Sequence, residues 1–158
     1  MTDVSTITAR IVAIMDDVSG VDLADDQYPT TMTANNTPFC FVEEGAATFT
    51  PIDTDTVEVE QEWLLLLYVQ SFDEDSQSEE DAAYQAVRPF LTSVPNHFWS
   101  RQRLQRGDQG LADVKRAVLS QHQGIQSASR EDTEGLRTTY MGVAFTLTVT
   151  YDMRIDQI

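Results

Sequence analysis

The sequence predicts a single α+β domain, a mixed and largely antiparallel β-sheet with two main helices packed on one face. Two stretches, at the N-terminus and around residues 79–94, place apolar residues at the three-and-four spacing of a helix face. Two others, 56–71 and 140–153, alternate with the period of a strand. The length of 158 residues, 41% of them hydrophobic, suits one core and leaves no material for a second.

The first helix rests on Val4, Ile7, Ile11, Ile14, Met15 and Val18, with Thr2 or Ser5 as its cap and Gly20 as its end. Asp16 and Asp17 oppose the dipole of its last turn. Residues 21–37 hold Pro29, Asn35 and Asn36 without a periodic apolar face and read as a long loop. Short strands follow at Phe39–Glu43 and Ala46–Thr50, separated by Gly45 and closed by Pro51.

From Thr56 to Ser71, Val57, Val59, Trp63, Leu65, Leu67 and Val69 share one parity and form a core face. The other parity runs Glu58, Glu60, Glu62 and then Leu64, Leu66, Tyr68, so one end is exposed on its second face and the other end is covered on both. Ser76 and Glu79 have capping-box spacing ahead of a helix whose core face is Ala83, Val87, Phe90, Leu91 and Val94. Pro95 stops or kinks that helix before a short amphipathic piece from His97 to Leu104. Residues 111–123 fit a helix or an edge strand, and the strand is favoured. Residues 124–135 read as a second long polar loop. The chain then closes with the cleanest alternation: Met141, Val143, Phe145, Leu147, Val149, Tyr151 and Met153 on one side, small and polar residues on the other.

The formal net charge is −16, and it is divided unevenly. Residues 1–87 hold 19 acidic side chains against one basic, Arg10, whereas residues 88–158 hold seven against nine. So negative a field opposes sequence-nonspecific DNA binding, which depends on Lys and Arg displacing counterions. No secretory leader or apolar run of about 20 residues is visible.

No catalytic, cofactor or metal residues are expected, and the chain is not expected to be an enzyme. The lone Cys40 lies in the apolar run 39–42 and reads as a small packing residue. His97 and His122 stand in no nucleophile or zinc motif. The acidic run from Asp73 resembles the start of a calcium loop, but Ser78 and Tyr84 fall where Gly and a bidentate Glu are needed. No Gly-rich phosphate loop is present.

Two charged constellations remain. Glu58, Glu60 and Glu62 recur on one strand face at a spacing of about 7 Å, on a face that is either plainly solvent-exposed or set against something negatively charged. Arg101, Arg103 and Arg106 punctuate the segment after Trp99. In so acidic a chain they point to a contact with the acidic surface of another copy, the heterologous kind that closes into rings.

The order of elements, with the strand EVEQEWLLLLYVQSF, the helix EEDAAYQAVRPFL and the closing strand YMGVAFTLTVTYDM, resembles the tail-terminator proteins of long-tailed phages, of the lambda-type minor tail protein U kind. The resemblance implies a virion protein of the tail and neck, assembled in the host cytoplasm. It implies a ring, hexameric in that family, which caps the tail tube, stops its polymerisation and offers the head-joining surface. The implied partners are other copies, the tail tube protein and a head-closure or connector protein, with DNA passing through the lumen without specific binding. In that setting the glutamate row belongs near the lumen. Other neck components, head-closure or tail-completion proteins, share this size and character. From charge alone, an acidic DNA mimic or inhibitor of a basic partner is the competing class.

Overall fold

The computed structural model describes residues 2–28, 37–107, 109–131 and 135–155. The elements run α1 (Val4–Asp16), β1 (Leu23–Asp25), β2 (Phe39–Pro51), β3 (Thr56–Ser71), α2 (Gln77–Val87), α3 (Phe90–Trp99), β4 (Val114–Glu131) and β5 (Arg137–Arg154). The five strands form one sheet in the order β1-β2-β3-β5-β4, with β1 parallel to β2 and every other pair antiparallel.

The helices cover one face of this sheet. Ile7, Ile11, Ile14 and Met15 of α1, Ala83 and Val87 of α2, and Phe90, Val94 and Phe98 of α3 pack with the odd-numbered residues of β3 and β5. Trp63, Leu65, Phe145, Leu147 and Val149 are fully buried there. Each such side chain contributes roughly 1.5–3 kcal/mol relative to exposure, which outweighs the poor placement of Asp16 and Asp17 at the end of α1. The cap of α1 is Asp3, not Thr2 or Ser5. Its carboxylate accepts from Thr6 N at 2.8 Å, and that bond holds its pKa below the ordinary carboxylate value. The helix stops at Asp16, short of Gly20, whose φ of 93° belongs to the turn leading to β1.

Several expected boundaries move. The two short strands at 39–50 are one strand, because Gly45 sits in a bulge between Glu44 and Ala47 and does not end the ladder. A Cβ at Gly45 would lie 2.9 Å from Glu62 O, so the bulge requires the missing side chain. The expected long helix is two, α2 and α3, divided at Arg88 and Pro89. Pro89 has no N–H to donate to Gln85 O, and the chain crosses the gap with the shorter Leu91 N to Arg88 O bond. Pro95 lies inside α3.

The expected loop at 124–135 is a strand as far as Glu131, and residues 111–123 become strand from Val114. Residues 21–37 contain β1, which lies beside β2. Of the two expected loops, 29–36 and 132–134 lie outside the described residues. Among the described residues no helix is long and apolar enough to cross a membrane.

Candidate functional site

Among the described residues the second face of the sheet carries no helix. Strand register aligns Thr48 and Thr50 of β2 with Glu60 and Glu58 of β3, and these with Thr150 and Asp152 of β5. Glu60 and Glu62 are exposed, while Glu58 is half-buried. The row therefore lies on the open face, as its alternation with core residues requires. Lys115 of β4 reaches across Asp152 to Glu58, with Nζ 3.2 Å from Asp152 Oδ1 and 2.7 Å from Glu58 Oε2. Both partners raise the pKa of Lys115, Glu58 first.

At the far end of the same face a satellite cluster forms. Tyr28 stacks on Phe41 with ring centroids 3.9 Å apart, and its hydroxyl meets that of Tyr68 at 3.0 Å. The Arg130 guanidinium lies 3.4 Å over the Tyr28 ring. Burial and the neighbouring Tyr68 push the Tyr28 pKa up. The half-buried Leu66 belongs here, which fulfils the expectation that this end of β3 is covered on both faces. Beside the cluster is an open groove of about 170 Å³, with Leu66, Tyr68, Gln126 and Ala144 in its lining. Among the described residues no carboxylate, histidine or cysteine lines it.

The three arginines lie in the segment linking α3 to β4, and each has intramolecular work. Arg101 donates to His97 O at 2.8 Å, and Arg103 donates through Nε to Val114 O at 3.2 Å. Arg106 pairs with Asp17 at 3.4 Å, with both side chains about half exposed. Arg10 reaches over from α1 to Leu104 O at 2.7 Å and Gln109 O at 2.9 Å. Leu104, at φ 54°, is fully buried beneath this segment. The acceptors of Arg101 and Arg103 are neutral carbonyls and the Ser100 hydroxyl, so among the described residues their charge has no ion-pair partner.

The two edges of the sheet are finished differently, which the sequence did not signal. Along the first half of β4, Gln102 O accepts from Ala117 N at 2.6 Å and Trp99 Nε1 donates to Leu119 O at 3.2 Å. A bulge between His122 and Ile125 follows, with Gly124 at φ 86°. On the opposite side β1 pairs only with Phe39–Phe41, and the rest of β2 has no strand beyond it among the described residues. Phe49 on that stretch is 60% exposed.

Cys40 is fully buried and burial pushes its thiol pKa up, in keeping with a packing residue. The described residues contain no group of three or more His, Cys, Asp or Glu arranged to hold a metal ion. No protein-family model and no curated protein matches the chain.

Proposed function

We propose that this chain is a structural assembly protein, a tail-terminator subunit whose copies close into a ring, hexameric by resemblance, that caps a tail tube and receives the head-closure protein. The observation that carries the reading is the separation of opposite charge onto different surfaces of one small domain. Arg103 and Arg106 are exposed, and Arg101 half-buried, in the segment between α3 and β4. Asp73, Glu74 and Asp75, with Glu79 and Asp81 of α2, are exposed at the other end of the sheet, where Thr139 of β5 donates to Glu74. Two unlike patches on one subunit favour a head-to-tail contact, and such contacts form rings when the rotation closes.

In this reading the open face, with its glutamate row, lines the lumen. Exposed carboxylates on its β2 and β3 strands keep DNA from adhering, since binding the phosphate backbone requires cations and neither strand holds a Lys or Arg. The charge-reversed double variant Arg101→Glu, Arg103→Glu tests the contact. It is expected to remain a folded monomer by circular dichroism while losing the oligomer that light scattering detects for the parent. Unchanged assembly would remove the arginines from the interface.

A further inference from the structure

We propose that the outer edge of β2, from Ala47 to Thr50, is a strand-accepting site for an extended basic segment of a partner protein, one that alternates apolar and Lys or Arg residues. The site belongs to the folded chain and does not rest on the ring reading.

The register of the hairpin shows which backbone groups are free. Ile52 N donates to Thr56 O at 3.0 Å, and bonded and non-bonded pairs alternate along an antiparallel ladder. Counting back, Pro51–Val57, Phe49–Val59 and Ala47–Gln61 are the non-bonded pairs, so the N–H and C=O groups of Ala47 and Phe49 point away from β3. Pro51, which has no N–H, falls at an outward position, as a proline in an edge strand must. The bulge at Gly45 closes the stretch at one end and Pro51 closes it at the other, which pins a short ladder in one register. The contrast with β4 gives the edge its meaning. Proteins blunt free edges, and this one covers β4 with Gln102 and Trp99 and interrupts it with a bulge, yet leaves Ala47–Thr50 without a cover among the described residues.

The side chains around the edge specify the occupant. On the helix-bearing face an added strand meets Ala47 and the exposed Phe49, so alternate residues of the guest are apolar. On the open face it meets Thr48 and Thr50, both exposed and short, and behind them Glu60 and Glu58. A guest strand lies two strand spacings from β3, about 10 Å. Lys115 spans the same two-strand separation from β4, across β5, to reach Glu58 at 2.7 Å. A lysine or arginine on the guest therefore reaches Glu60 over Thr48. Asp53 and Asp55 at the adjoining turn add to the negative field.

Fluorescence anisotropy with the full chain tests this, using a labelled hexapeptide of alternating valine and lysine at physiological salt. The comparison peptides have the same side chains but carry N-methyl groups on either alternate set of amides. The expected result is at least tenfold weaker binding for one N-methylated set, and at least tenfold loss with Ala47→Pro and with Glu60→Lys. Glu60→Lys should also gain affinity for an alternating valine and glutamate peptide. Equal binding of all three lysine peptides would show charge attraction without strand addition and overturn the proposal, as would no binding at all. Loss of self-association on Ala47→Pro, read by sedimentation, would give the edge to a second copy and overturn the assignment of a basic partner. Should Ala47→Pro fail to fold, the N-methylated peptides and Glu60→Lys decide the matter.

Discussion

Gly142 shows how little freedom the centre of the sheet allows. It faces the bulge that β3 makes between Tyr68 and Gln70, and a Cβ built there would run into Leu67 O. Both strands are interior to the sheet, so neither can retreat without losing ladder bonds on its other side. Gly142→Ala should cost about 3 kcal/mol, the range of a severe overpacking change. Gly124 has nothing within 4 Å of its would-be Cβ but a φ of 86°, so Gly124→Ala should cost only about 1 kcal/mol, through backbone strain. Urea unfolding of the two variants measures the difference, and equal losses would contradict this account of the bulge. Elsewhere in the core, Trp63 Nε1 donates to Thr8 Oγ1 at 3.0 Å, and Thr8 donates onward to Glu44 Oε1 at 2.8 Å. The buried indole thus ties α1 to β2 through one hydroxyl.

At the scale of elements, α1 and α3 meet near His97, whose Nε2 is buried beside the Ile14 backbone. Burial, helped by the like charge of Arg101 and opposed by Asp17 and the Ile14 backbone, lowers the His97 pKa below its usual 6.5. The unfolded chain then binds a proton at a pH where the folded one does not. Stability should therefore fall as pH drops below about 6.5, until the depressed folded pKa is reached. His97→Asn should flatten that part of the stability profile measured by denaturant midpoints from pH 7.5 to 5.5, and an identical slope in both proteins would remove His97 from the α1–α3 contact.

The elements with strong periodicity are legible in the sequence. β3 spans the expected Thr56–Ser71, and the odd parity of β5 is buried from Met141 to Tyr151. The second half of β4 is not legible, since an edge strand with solvent beside it and on much of both faces needs no apolar alternation, and Gln121 to Arg130 has none. The break at Pro89 is hidden because Phe90 and Val94 continue the apolar stripe of Ala83 and Val87 across it. The glutamate row is legible as a face. The unequal edges of the sheet are not, because they depend on what Gln102 and Trp99 cover from far along the chain.

For the whole molecule, the balance of −16 is divided in space as well as in sequence. The acidic residues before and in α2 and the arginine-bearing segment before β4 are parts of one folded domain, at opposite ends of the sheet, so any contact that satisfies both must involve a second molecule. A head-to-tail contact of this kind weakens with salt, because exposed charges are screened over roughly 8 Å at physiological ionic strength. The central claim is ring assembly on a tail tube, and electron microscopy of the purified chain, alone and mixed with tail tubes, tests it most directly. The account predicts closed rings of uniform size that seat on one end of the tube and halt its growth. A monodisperse monomer at every concentration, with tube ends left bare and still elongating, would contradict it.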